Sequence, residues 1–264
     1  MIKVFSFVGS CAGKDGHTVC LSDAIAKAIQ KQVEAEGEKM SYECLTGADL
    51  RVDYCRSCSG CFQTGVCPQD VMDDMAVLKK KMFVCDILLF GSPVYMGRMS
   101  GLTKSVIDRL AYWSHRFELL GKPCIQFVTT HSNHGKEASE DLEYIMRFFG
   151  TSLVNAGPFY IEGYPNLHLE SDMEPTLTEL AKRILAVYHD PRIAITDRQQ
   201  SIHFSLILQG RKTLRLARAA GKEVRDEVRV CERRGLLRYV LMSEAIEDLC
   251  MKPDGAYYRE KNGL

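Results

Sequence analysis

The 264 residues are 46% apolar and 26% charged, with 34 basic against 34 acidic side chains, enough chain to bury a sizeable core without covalent staples. Zero net charge removes the bulk electrostatic argument for nucleic acid or an anionic membrane as partner, and no run approaches the roughly 18 uninterrupted apolar residues of a membrane span. The chain opens on a strand-like run with no secretory leader pattern, so its 11 cysteines are expected in a reducing, cytoplasmic setting, where clustered cysteines signal metal or redox chemistry rather than disulfides.

In chain order, Ile2–Val8 reads as a first strand ending at Gly9. Leu21, Ile25, Ile29 and Val33 recur at spacing four and predict a helix over 19–34. Ser41–Leu45 is a second strand and Asp70–Met82 a second helix. Cys85–Phe90 is nearly all apolar, as a strand buried on both faces of a parallel sheet must be. Leu102, Val106 and Leu110 mark a helix, Cys124–Val128 a fourth strand, and Leu142, Ile145, Met146 and Phe149 another helix. Leu153–Ile161 supplies a fifth strand and 174–188 a closing helix. This alternation predicts an α/β fold, a doubly wound five-stranded parallel sheet in the flavodoxin-like order 2-1-3-4-5.

From Pro191 the alternation stops. Val224, Val228 and Cys231 share one helical face, and Leu237, Val240, Leu241, Ala245 and Leu249 another. They predict two or three helices packed on the core or on a neighbouring subunit. The chain thus divides into residues 1–190, the α/β unit, and residues 191–264, a helical extension in which Lys and Arg outnumber acidic residues. The bland reading of that excess is a solvated helix face.

Three loops share one sheet edge. After strand one, residues 9–18 (GSCAGKDGHT) combine glycines for close backbone approach, the hydroxyls of Ser10 and Thr18, the charge of Lys14, and the first amides of a helix beginning near Gly16 and His17. That is what a phosphate needs, though the same glycines also suit a plain turn. After strand three, Ser92, Pro93, Val94, Tyr95, Met96 and Gly97 offer a stiff turn, an aromatic face and amides for a planar ring. After strand four come Thr130, His131, His134 and Gly135. In this order strands one and three flank the switch point where a crevice opens, so the three loops together suit FMN. Tyr95 as a packing residue and His131 and His134 as solvated loop residues remain the alternatives.

The stretch from Gly91 to Arg109 (GSPVYMGRMSGLTKSVIDR) resembles the signature of the NADPH-dependent FMN reductase superfamily. Residues 9–18 resemble its phosphate loop with one extra residue and His17 in place of the usual Asn. The resemblance covers about residues 1–165.

The four remaining cysteines form a compact run, Cys55, Cys58, Cys61 and Cys67, with spacing C-x2-C-x2-C-x5-C followed by Pro68. Thiolates this close can wrap an inorganic cluster, and bacterial ferredoxins use a related run. Structural zinc sites usually split their ligands into separated pairs and fit less well. Unmetallated cysteines remain a third reading. Cys11, Cys20, Cys44, Cys85, Cys124, Cys231 and Cys250 stand singly and are expected as small core hydrophobes. The spacing, with Asp73, Asp74 and Met75 downstream and then the Ser92–Tyr95 loop, resembles the iron–sulfur flavoproteins. That resemblance implies a [4Fe–4S] cluster on the four cysteines, assembly as a homodimer or homotetramer, a ferredoxin-type donor, and a small oxidant as acceptor. Because the cysteine loop follows strand two, it is expected at the same carboxyl edge as the flavin crevice.

The function expected is electron transfer between the cluster and FMN, with no general acid or base nominated. One rival is an NAD(P)H-dependent FMN or quinone reductase with incidental cysteines. Another is a non-catalytic redox sensor whose basic helices at 211–234 contact a partner.

Overall fold

A computed structural model describes residues 1–161 and 173–263. Five parallel strands, β1 (Ile2–Val8), β2 (Met40–Thr46), β3 (Ile87–Tyr95), β5 (Pro123–Thr130) and β6 (Ser152–Tyr160), lie in the order β2-β1-β3-β5-β6. A two-residue strand, β4 (Arg98–Met99), folds back antiparallel on the end of β3. With that hairpin set aside, the order is the expected 2-1-3-4-5.

Alternation along the central strand builds two cores. Ile87 and Leu89 point to one face, where α1 (His17–Ala35) and α7 (Glu174–His189) deliver Leu21, Ile25, Ile29, Leu180 and Ile184. Leu88 and Phe90 point to the other, against α3 (Met75–Val84), α4 (Gly101–Arg109), α5 (Ala111–Ser114) and α6 (Gly135–Phe148). A strand buried on both sides has no polar positions to spare, which is why its sequence is continuously apolar.

The helix expected over Asp70–Met82 begins only at Met75. Its intended first residues are drawn off into backbone contacts: Asp73 accepts from the Asp53 and Met75 amides at 3.0 and 3.1 Å, and Asp74 from the Arg51 amide at 2.8 Å. Short acidic side chains compete with the helix for backbone amides in this way.

Beyond Pro191, four α-helices rather than two or three are present among the described residues: α8 (Asp197–Ala219), α9 (Asp226–Arg233), α10 (Met242–Ile246) and α11 (Ala256–Asn262). They pack on their own chain. Ile207, Cys231, Leu236, Met242, Ile246 and Tyr257 enclose Phe117 and Leu120 in a third core. Val240 and Leu241, expected on a buried helical face, sit in the connection between elements and are exposed. Cys85, Cys124 and Cys231 are buried as expected of core hydrophobes, whereas Cys11 and Cys20 are exposed. Among the described residues no helix is long and apolar enough to cross a membrane.

Candidate functional site

The carboxyl ends of β1 and β3 are fastened to each other. The Gly9 amide donates to Gly91 O at 2.9 Å, and Ser100 Oγ donates to Gly9 O at 2.5 Å. Ser100 caps α4, accepting from the Thr103 amide at 3.1 Å, and Thr103 Oγ1 donates to Ser92 Oγ at 2.9 Å. Side chains are excluded where backbones meet: a Cβ at Gly91 would lie 2.4 Å from the Phe127 ring, and one at Gly9 would lie 1.8 Å from Thr103 Oγ1. Ser100 and Thr103 escaped the sequence reading, although a Ser-x-x-Thr pattern ahead of an apolar helix is a capping signal.

The loop after β1 reaches α1 through a turn of 3-10 helix at Gly13–Asp15, with Gly16 as the N-cap. No side chain caps this helix, the feature by which a helix N-terminus can take an anion on its first amides. Lys14 is exposed beside them. Ser10 and Thr18 are buried and their hydroxyls serve the protein first. Ser10 Oγ accepts from the Ala12 amide at 3.2 Å, and Thr18 Oγ1 shares a 2.6 Å hydrogen bond with Thr129 Oγ1. That bond joins the first loop to the end of β5, and the His17 and His131 rings meet edge to face at 5.7 Å across the same gap. The predicted residues of the first and third loops are therefore neighbours in space.

The second loop is a β-hairpin. Val94 pairs with Met99 and Tyr95 with Arg98, leaving Met96 and Gly97 as a two-residue turn with φ of 49° and 76°. Positive φ at both positions is the tight turn whose twist matches the flanking strands, and it accounts for Gly97. Tyr95 is 57% exposed and Met96 fully so. Arg98 ties the hairpin to α6 through Asp141 at 3.2 Å, and a Cβ at Gly97 would lie 3.2 Å from the His134 ring. Ser92, Pro93 and Thr130 are buried, and Val94 is half-buried against the core. Ser92 Oγ is committed to the Ser100 amide and Thr103, and Thr130 Oγ1 donates to Asn133 O at 3.0 Å. These side chains shape the edge; the exposed groups on it include Lys14, Tyr95, Met96, His131 and His134. Gly135 opens α6, where a Cβ would lie 2.8 Å from Pro158.

The cysteine loop is anchored from beneath. The crevice loops bind Ser100 and Thr103 at the start of α4, whereas Asp53 O accepts at 3.1 Å from Arg109, the last residue of α4. Nine helical residues separate the two ends by about 13 Å. The connection after β2 is also tied at its base to the head of α3, where Asp73 and Asp74 accept from the Asp53 and Arg51 amides, and its Val52, Cys61 and Phe62 pack on the α3–α4 face. Cys55 and Cys58 are exposed, Cys61 is half-buried and Cys67 is buried. Left-handed backbone at Ser57, Ser59 and Gly65 curls the loop on itself. Gln69, buried below it, accepts from the Arg56 amide at 3.1 Å and donates to Tyr54 O at 2.9 Å.

Beneath the loop is a buried ion network. Arg109, 1% exposed, donates to Asp70 at 2.8 Å and to both oxygens of Asp73, while Lys79 holds Asp70 at 2.7 Å. Burial works against the Arg109 charge, but hydrogen bonding to Asp73, Cys67 and Asp70 outweighs it and holds the guanidinium above its ordinary pKa. Its Nε has no hydrogen-bond partner. The Cys61 thiol is pushed up by burial and by the negative charge of Cys67, Cys55 and Cys58. Among the described residues no group of three or more His, Cys, Asp or Glu side chains is gathered closely enough to hold a metal ion. Even so, the donor set fits an iron–sulfur group: four soft sulfurs on a curled loop, beside a buried cation with one N–H to spare.

Comparison with known proteins agrees with this geometry at the level of family and fold. The model of the NADPH-dependent FMN reductase family matches residues 2–166. An iron-sulfur flavoprotein of Methanocaldococcus jannaschii is 29% identical over 148 residues, covering 56% of this chain and 72% of that protein. An iron-sulfur flavoprotein of Archaeoglobus fulgidus is 31% identical over 121 residues, 46% of this chain, and the chain spans only 51% of its length. Among solved structures, an oxidoreductase from Corynebacterium diphtheriae superposes with a TM-score of 0.54 at 16% identity, over 72% of this chain and 98% of that one, a likeness of fold. Fold, paired loops and family match thus converge: the chain belongs to the NADPH-dependent FMN reductase family, with iron–sulfur flavoproteins among its relatives.

Proposed function

We propose that this protein is a cytoplasmic electron-transfer flavoprotein. FMN sits in the crevice between the loops after β1, β3 and β5, and a [4Fe–4S] cluster is held by Cys55, Cys58, Cys61 and Cys67. The observation that carries the cluster is the donor set of the loop: four sulfurs at residues 55, 58, 61 and 67 on backbone curled at Ser57, Ser59 and Gly65, above the buried Arg109 guanidinium with its unpartnered Nε. FMN supplies the conversion between one- and two-electron chemistry when bound, and the protein positions it and tunes it.

The chain's own contributions follow from the geometry. First-turn amides of α1 and Lys14 receive the phosphate, and the hairpin around Tyr95, Met96 and Gly97 borders the ring. His131 closes the crevice beside His17. At the cysteine loop, the buried Arg109 cation would offset part of the negative charge that the thiolates present to one another. Tyr54, Val66, Val71 and Met72 are exposed around that loop and form an apolar surface suited to a protein partner. The partners proposed are a ferredoxin-type carrier or NAD(P)H as donor and a small oxidant or quinone as acceptor. A homodimer or homotetramer would set one chain's cysteine loop against the crevice of another.

The test is anaerobic purification with a visible spectrum and iron and acid-labile sulfide assays. About four irons and four sulfides per chain are expected, together with FMN. Stoichiometric zinc without labile sulfide would reject the cluster. The family match favours one second reading, an NAD(P)H-dependent FMN or quinone reductase. Rapid NADPH oxidation by iron-free protein supplied with FMN would establish it instead.

A further inference from the structure

The helical extension beyond Pro191 lies outside the region matched by the family model, yet it reaches the cysteine loop. Gly65, the left-handed residue at which the chain turns back from Cys61 toward Cys67, is in contact with α9: a Cβ there would lie 2.1 Å from Asp226 Oδ2. The Gly65 amide donates to Cys61 O at 2.9 Å, and Arg116 Nη1 donates to Gly65 O at 3.1 Å. Beside this turn the Phe62 ring meets His115 at 5.1 Å, and His115 Nδ1 is 3.2 Å from Glu227 Oε2.

The extension also fixes the segment 115–118 that carries Arg116 and His115. Cys231 Sγ donates to His115 O at 3.4 Å, Tyr257 Oη donates to Arg116 O at 2.7 Å, and Arg234 makes a two-pronged pair with Glu118 at 2.9 and 3.0 Å. Glu118 in turn lies 3.1 Å from Arg116 Nε. The cysteine loop is thus held on one side by Arg109 and Gln69 of the α/β unit, and on the other by a clamp that the extension supplies.

We propose that α9, acting through Asp226, Glu227 and the braced Arg116, is a positioning device that sets the Gly65 turn and so the approach of Cys61 and Cys67. Residues 191–264 are then part of the cysteine centre rather than an appendage. The inference goes beyond the electron-transfer reading and can be tested without a cluster.

Metal-free full-length protein is treated with limiting iodoacetamide, and each cysteine's alkylation rate is read by peptide mass spectrometry. In the double variant Asp226→Ala, Glu227→Ala, and separately in Arg116→Ala, alkylation of Cys61 and Cys67 should accelerate about tenfold or more, the size expected for losing hydrogen bonds to charged groups. Cys55 and Cys58, already exposed, should change little. Glu232→Ala is the control, because Glu232 is on α9 but pairs with Arg218. If it accelerates Cys61 and Cys67 equally, or if the double variant leaves both rates unchanged, the clamp is wrong. The milder Asp226→Asn, Glu227→Gln pair serves if the alanine variant does not fold, and must also exceed the control. Iron content of the unmodified protein bears on the cluster alone, so failure of that reading and failure of this one are read separately.

Discussion

Arg109 offers the sharpest test of what holds the cysteine loop. Replacing it by Met keeps most of the side-chain volume and removes the charge. Asp70 retains Lys79 at 2.7 Å, but Asp73, with a side chain of zero exposure, loses its only ion-pair partner among the described residues. Breaking a buried pair costs about 3–5 kcal/mol. The Asp53 and Met75 amides still donate to Asp73, so the lower end applies: about 3 kcal/mol at pH 7, or a fall in Tm of roughly 6–12 °C for a chain of this size.

The pH dependence carries the sign. Burial alone would push the Asp73 carboxyl up, but hydrogen bonds from Arg109, Asp53 and Met75 hold it below the usual range. In the parent, Asp73 therefore adds stability above its unfolded pKa, and that stability is lost as pH falls through the depressed folded value. In Arg109→Met burial dominates, the carboxyl rises, and protonation relieves the unpaired charge. Urea denaturation followed by circular dichroism at pH 7 and pH 4.5 should show the gap between parent and variant narrowing toward acid. A gap below about 1 kcal/mol at pH 7, or one independent of pH, would refute the ion network as the foundation of the loop.

Three further outcomes follow from the same geometry. Cys58→Ser should lose most of the iron of an anaerobic preparation yet still bind FMN, since the cysteine loop does not build the phosphate loop; loss of both together would count against separate sites. Ser10→Ala and Thr18→Ala should weaken FMN more than riboflavin, because these hydroxyls shape the phosphate loop, and equal weakening by titration would remove the assignment. His203 is buried with Nε2 on Tyr239 O at 3.1 Å, and burial lowers its pKa to about 4. The unfolded chain binds that proton near pH 6.5, so stability should decline from about pH 6.5 toward 4. His203→Gln should flatten that slope in denaturant titrations, and an unchanged slope would assign it to other groups.

Local chemistry made much of this protein legible in the amino-acid order. The continuous apolar run at Cys85–Phe90 and the spacing-four stripe from Leu21 to Val33 report burial directly, because a strand or helix face must match the environment it occupies. Order 2-1-3-4-5 followed from the alternation. The crevice loops followed from that order, since strand ends at a switch point converge whatever their side chains. The cysteine spacing was equally plain, being a property of one short segment.

Only tertiary packing decided what those residues touch. Ser92, Thr18 and Thr130 are legible as crevice hydroxyls, but only packing decides that they hydrogen bond to Thr103, Thr129 and Asn133 of the chain itself. The cysteine loop follows β2 in the chain, and a buried Arg at the far end of α4 and an aspartate of α9 against Gly65 fix how it leans on the fold. Sequence separation hid both contacts: Asp53 and Arg109 are 56 positions apart, and Gly65 and Asp226 are farther apart still. The charge excess of the extension read as a solvated helix face for the same reason. Its decisive groups, Asp226, Glu227 and Arg234, are charged residues whose partners come from the cysteine loop and the segment 115–118. A charge in sequence looks like surface until the fold brings a counter-charge to it and removes the water between them.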